Sequence, residues 1–173
     1  MTDTTIDRLS RRAFVTSAVI AIALPTVACS QAEQNPKVQD TATPGATTPV
    51  AMTVYRDPTC PCCEDWVDIA NRSGFRVEMI DDPNMPGRKQ QLGVPEALAS
   101  CHTAQVAGLV FEGHVPIEHI KHLMASNEND LLGLAVPGMP RGSPGMEMPD
   151  GSKDPFEVIA FDRSGNTSVF AKA

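Results

Sequence analysis

Met52-Thr53-Val54-Tyr55-Arg56-Asp57-Pro58-Thr59-Cys60-Pro61-Cys62-Cys63-Glu64-Asp65-Trp66-Val67 is the stretch on which the fold turns. Residues 52–55 read as a short strand and Asp57-Pro58 as the turn that ends it. Beyond the cysteine run, Trp66, Val67, Ile69 and Ala70 recur at helical spacing, Glu64 and Asp65 suit a first turn, and Gly74 is placed to stop the helix. The cysteines therefore fall between a strand and a helix start, where unpaired backbone N–H groups and the helix dipole favour thiolate over thiol.

Working outward, residues 75–80 give a second strand and 88–92 a short helix before Gly93-Val94-Pro95. Residues 103–106 and 109–112 flank Ala107-Gly108, a two-residue hairpin signal. Pro116 opens a helix with Ile117, Ile120, Leu123 and Met124 on one face. This order predicts an α/β (α+β) chain with a thioredoxin-like fold, a parallel pair before an antiparallel pair in a mixed sheet flanked by helices. Residues 134–151 hold Pro137, Pro140, Pro144 and Pro149 among Gly138, Gly142 and Gly145, and read as an extended loop. Residues 156–161 and 167–170, parted by Asp162-Arg163-Ser164-Gly165, read as a C-terminal hairpin that extends the sheet. Trp66, Phe75 and Phe111 are expected in the core.

The start of the chain reads differently. Ser10-Arg11-Arg12-Ala13-Phe14-Val15 is a twin-arginine pattern, followed by an apolar run over 19–24 that falls well short of the about 20 residues a spanning helix needs. Residues 1–28 are thus expected to be an export signal and the mature protein to be periplasmic. Thr26-Val27-Ala28-Cys29 allows cleavage before Cys29 with lipid on that cysteine, or an ordinary small-residue cleavage giving a soluble form; Thr26 stands where a leucine-like residue is usual. Residues 29–50, rich in Gln, Thr, Pro and Ala, read as a disordered linker, and 51–173 as one domain. Losing residues 1–28 removes three arginines and two aspartates and moves the formal charge from -7 to -8. Such an acidic surface disfavours nucleic acid, and membrane contact is expected only through a lipid on Cys29.

Apart from Cys29, the cysteines are Cys60, Cys62, Cys63 and Cys101. An oxidising compartment invites a disulfide framework, but three thiols within four residues close only tiny loops, so they read as a site. Cys60 and Cys63 fit a C-x-x-C redox pair, in which Cys60 attacks a substrate disulfide and Cys63 resolves it. Cys62 adds a third sulfur, and thiolates at this density suit Cu(I), Zn(II) or an iron-sulfur cluster. Adjacent Cys62 and Cys63 are poorly placed to complete a tetrahedral shell around one ion, whereas thiolates that bridge several Cu(I) ions tolerate such crowding. Copper, with more than one ion, is the first reading; a thiol-disulfide oxidoreductase is the alternative, and a structural zinc module using Cys101 and His102 the weaker one. Cys101-His102 lies just before the hairpin, which a thioredoxin-like fold packs against the cysteine loop. Met139 and Met146, with Met148, offer thioether sulfur from a loop with no helical stripe to fill, although each taken singly reads as packing. His114, after Gly113 at a helix mouth, divides between ligand and backbone hydrogen bonding. His119 and His122, one helical turn apart, read first as a solvated face.

Pro58-Thr59-Cys60-Pro61-Cys62-Cys63, Ser100-Cys101-His102-Thr103, Glu112-Gly113-His114-Val115-Pro116 and Leu134-Ala135-Val136-Pro137-Gly138-Met139-Pro140, continuing through Gly142-Ser143-Pro144-Gly145-Met146-Glu147, carry a further signal. Across residues 52–171 the chain resembles the CopG-like copper-resistance family. The resemblance implies a periplasmic protein that handles Cu(I) and Cu(II), with copper ions and other periplasmic copper-efflux or redox proteins as partners. By position it makes Cys60, Cys62, Cys63 and Cys101 the metal-site thiols and His102 and His114 accessory ligands. Pro61 and Glu64 stand where similar sequences often have glycine, which bears on loop stiffness and local charge. The same ligands serve a copper buffer and a copper oxidoreductase, so spacing leaves enzymatic turnover open.

Overall fold

The computed structural model describes residues 48–173, so the expected export signal, Cys29 and all but the end of the linker over 29–50 lie outside the described residues. Strand β1 (Val50–Arg56) leads into α1 (Cys62–Arg72), β2 (Phe75–Asp81) and α2 (Met85–Gln91). A single 3-10 turn (Glu96–Leu98) precedes β3 (His102–Val106) and β4 (Leu109–Glu112). Helix α3 (Ile117–Ala125) and strands β5 (Leu131–Ala135), β6 (Glu157–Asp162) and β7 (Thr167–Lys172) complete the order.

One sheet holds the seven strands of the described residues in the order β2-β1-β3-β4-β5-β6-β7. β1 runs parallel to β2 and antiparallel to β3, β3 and β4 form the Ala107-Gly108 hairpin, and β4 runs parallel to β5. This mixed arrangement is compatible with a thioredoxin-like core, β2-β1-β3-β4, and the terminal hairpin β6-β7 extends it by pairing with β5.

Two differences from the sequence reading concern apolar or glycine-containing segments. β5 takes the first residues of the span read as loop; Leu131-Leu132-Gly133-Leu134-Ala135 lies between two strands and shows no clean polar alternation to betray it. Helix α2 begins at Met85 rather than near Arg88. Pro86 stands in its first turn, where its missing N–H costs nothing, and the Asn84 side chain accepts the Gly87 N–H at 3.2 Å.

Strand periodicity splits the core into two layers. On one face, Trp66, Val67 and Ala70 of α1 and Ile117, Ile120 and Leu123 of α3 pack on Met52, Val54, Ala104, Phe111, Leu134, Val158 and Ala160. On the other, Val94 and Leu98 cover Val110, Ala135 and Phe161. Neighbours on one strand, such as Val110 and Phe111, thus point into different layers, as a two-residue repeat requires. Trp66, fully buried, donates its indole N–H to the Val115 carbonyl at 3.0 Å and so ties the start of α1 to the entry of α3. That tie brings the cysteine loop against the β3 and β4 ends.

Candidate metal centre

Three chain segments meet at the start of α1. The first is the cysteine run. Pro61 holds a helical φ of -71° at the cap position with no side-chain cap, so Cys62 and Cys63 occupy the first turn with its free N–H groups. Arg56 steadies the loop from below: its guanidinium donates to the Cys60 carbonyl at 3.0 Å, to Glu64 at 2.9 Å and to Asp81 at 2.8 Å. Glu64, one of the two departures from the glycine-rich pattern, is therefore paired with a cation.

The second segment is Ser100-Cys101-His102 at the start of β3, and the third is Gly113-His114 at the end of β4. Gly113 (φ +72°) donates its N–H to the His102 carbonyl at 2.8 Å, which holds the two segments side by side. The Cys101 Sγ then lies 3.2 Å from the His102 Nδ1 and 3.0 Å from the His114 Nε2. The His114 Nδ1 faces the Pro144 carbonyl at 2.7 Å; a proton there leaves the Nε2 lone pair turned toward Cys101. This is the second contact that metal-binding histidines ordinarily make. His102, fully buried against the Trp66 ring at 4.7 Å between centroids, has an Nε2 that meets no hydrogen-bond partner among the described residues.

Two donor sets result, and they share one atom. Cys60, Cys62, Cys63 and Cys101 place their sulfurs within 4.8 Å of one another, and Cys101, His102 and His114 place their donors within the same distance. Cys101, His102 and His114 were each readable as candidates, but their meeting as one set depends on the β3–β4 pairing, which sequence separation hides.

The sulfurs take the pairing that the C-x-x-C reading allows. Cys60 and Cys63 are joined as a disulfide, while Cys62 and Cys101 form no disulfide among the described residues and the Cys62 Sγ stands 3.5 Å from the Cys60 Sγ. The bond spans a separation of three residues and so constrains little unfolded chain. So short a loop, with a third sulfur beside it, suits a reactive site better than a structural framework.

A groove of about 1080 Å³ opens over these sulfurs, with Cys60, Cys62 and Cys101 along it and Met85, Lys89 and Met139 among its walls. Met139 is thus beside the cysteines and exposed. Met146 is not among the groove's lining residues; its backbone closes the turn with Gly142 and Ser143. Met148 is exposed and also away from the groove. His119 and His122 sit apart, edge-on to Phe170 at 5.9 and 5.5 Å.

Sequence reasoning missed Met85, Arg56, and the buried group of Lys89, Thr103 and Glu112. A charged residue ending the apolar run Leu109-Val110-Phe111-Glu112 is the one signal that was available.

Solved structures supply the comparison. "Copper resistance protein copG- Form 1" is 45% identical, with the match covering 98% of that chain and 72% of this one at a TM-score of 0.68. The chain belongs to the CopG copper-resistance family. "Copper resistance protein copG- Form 2" matches over the same shares at 44% identity and a TM-score of 0.68. Residues 98–146, which hold Cys101, His102, His114, Met139 and Met146, match the family described as "Protein of unknown function, DUF411". No curated protein matches the chain.

Burial sets the protonation of this CopG site. It pushes the Cys101 thiol up to about 12, with nearby Cys62 and Glu112 adding to the rise and Lys89 opposing it. It holds His102 well below its ordinary 6.5, helped by His114 and Lys89, and lowers His114 against the pull of the Pro144 carbonyl, Glu147 and Asp65. Both imidazoles are neutral at neutral pH and able to donate a lone pair. The sign of the stability effect follows. Below about 6.5 the unfolded histidines take up protons that the folded ones refuse, so stability falls as pH drops. Above about 9 the unfolded Cys101 ionises while the folded thiol holds its proton to about 12, so stability also falls as pH rises through that window. Calorimetry on metal-free protein is expected to show the highest melting temperature between these limits.

Proposed function

We propose that this chain is a periplasmic copper-binding protein of copper resistance, exported by the twin-arginine route, which holds more than one Cu(I) on bridging cysteine thiolates. The observation that carries the reading is the shared Cys101 sulfur, at which a four-sulfur set and a Cys-His-His set meet. Soft sulfur suits Cu(I), and a thiolate with two imidazoles is a donor set that accepts Cu(II) as well. The donors present therefore fit copper in both oxidation states, which supports Cu(I)/Cu(II) redox activity. Cys60, Cys62, Cys63 and Cys101 would hold the ions, His102 and His114 would complete the set on the Cys101 side, and exposed Met139 would offer a thioether at the groove mouth.

The disulfide sets a condition. Two electrons from an external dithiol convert the Cys60–Cys63 bond to two thiolates, and the donor leaves as its own disulfide. Only then are four thiolates available. Elemental analysis of reduced, copper-treated protein is expected to return more than one copper per chain, and the untreated oxidised protein far less. One ion per chain, or zinc in preference to copper, would contradict the proposal.

The same disulfide favours a second reading, thiol-disulfide exchange with Cys60 as attacking and Cys63 as resolving thiol. Vigorous insulin reduction by metal-free protein, unchanged by Cys62→Ser, would support it. Scrambling through Cys62, 3.5 Å from Cys60, is the expected outcome instead.

A further inference from the structure

Behind the Cys101 loop lies a buried ion pair that supplies none of the proposed copper donors. Glu112, fully buried on β4, accepts Lys89 Nζ from α2 at 2.5 Å, Thr103 Oγ1 from β3 at 2.6 Å and the backbone N–H of Ser100 at 2.5 Å. Lys89 Nζ also donates to Thr103 Oγ1 at 3.1 Å. Thr103 and Glu112 are direct partners across the β3–β4 ladder, so the carboxylate sits at a fixed point of the sheet.

Buried ion pairs are poor devices for stability, because desolvation consumes most of the attraction and a matched apolar pair does as well or better. What an apolar pair cannot do is meet the Ser100 N–H. Ser100 immediately precedes Cys101, and its hydroxyl donates to the Gly138 carbonyl, next to Met139. On the other side, Glu112 is followed by Gly113 and His114. One carboxylate therefore anchors the residue before Cys101 and the strand end that carries His114. Lys89 balances its charge, so the anchor adds little net field beside the thiolates.

We infer that Glu112, held by Lys89 and Thr103, is the positioning residue that fixes Cys101 against His114 and so sets copper affinity and the balance of Cu(I) and Cu(II) at that end of the site. The inference rests on the copper reading above, but it also makes a claim about the metal-free protein, where Cys101 is half-buried between two rings.

The variant that separates positioning from folding is Lys89→Met with Glu112→Leu, which replaces the pair by apolar groups of similar volume and leaves the Ser100 N–H without its acceptor. Three readouts apply: Cu(I) affinity by competition with a chromophoric chelator, the midpoint potential of the loaded protein, and maleimide labelling of Cys101 in oxidised, metal-free protein, resolved from Cys62 by peptide mapping. The double variant is expected to fold, to bind Cu(I) about 10–100-fold more weakly, to shift the potential, and to label at Cys101 about tenfold or more faster than wild type. Glu112→Gln, which keeps an acceptor for Ser100, is expected to restore slow labelling and most of the affinity. A folded double variant with wild-type affinity, potential and labelling would overturn the inference. If wild type takes up no copper, the copper reading falls by itself; unchanged Cys101 labelling in the double variant would then overturn the positioning role, and faster labelling would support it.

Discussion

Replacing Cys101 by serine is expected to remove copper binding more completely than replacing any other single cysteine. Its Sγ belongs to both donor sets, within 4.8 Å of the other three sulfurs and at 3.0 and 3.2 Å from the two imidazole nitrogens. Cys101→Ser separates those sets and leaves a hard oxygen where a soft bridging anion stood. Loss of a supporting group around a metal ligand typically costs about 10–100-fold in affinity, and loss of a ligand shared between two sets should exceed that. Chelator competition on reduced protein checks the result, with Cys62→Ser as the comparison. An affinity for Cys101→Ser within tenfold of wild type would mean that copper is held by the Cys60–Cys63 loop alone.

The second large effect is steric. Gly113 and Gly108 both have positive φ, +72° and +80°, so alanine at either meets the same backbone penalty of about 1–2 kcal/mol. Their surroundings differ. A Cβ at Gly108 meets nothing within 4 Å, whereas at Gly113 it falls 2.5 Å from the Ser100 Oγ and 2.6 Å from the Val136 carbonyl oxygen. Gly113→Ala is therefore expected to destabilise by about 1–3 kcal/mol more than Gly108→Ala in urea unfolding, the usual cost of forcing extra atoms into a packed region. Because the strands it pushes apart carry Cys101 and His114, copper affinity should fall as well. Equal stability of the two variants would show that the Ser100, Gly113 and Val136 backbones have room to part.

How much of this was legible in the sequence depends on the range of the interaction. The strand and helix around Cys60-Pro61-Cys62-Cys63, the Ala107-Gly108 hairpin and the terminal hairpin were readable because turn residues and periodicity are local signals. β5 was not, since a short apolar strand buried between β4 and β6 shows no alternation. The cysteines were readable by kind and spacing, and His102 by its place after Cys101. The contact of His114 with Cys101 depends on the β3–β4 pairing, 13 residues apart in sequence, and its place at a helix mouth left ligation and backbone hydrogen bonding evenly matched. Lys89 and Glu112 were harder to read for a different reason, with only the charge that ends the apolar run Leu109-Val110-Phe111-Glu112 to mark them. A lysine on a short helix and a glutamate at a strand end look solvated until the fold brings them together across 23 residues. The Cys60–Cys63 disulfide is a statement about redox state, which spacing permits but does not assign.

Copper K-edge X-ray absorption on reduced, anaerobically loaded protein tests the central claim most directly, because it reads the atoms around the metal. The account predicts a sulfur-dominated shell, a copper-copper scattering path from bridging thiolates, and a minor nitrogen contribution that disappears when His114 and His102 are both replaced. A single copper in a nitrogen and oxygen shell, with no copper neighbour, would contradict it.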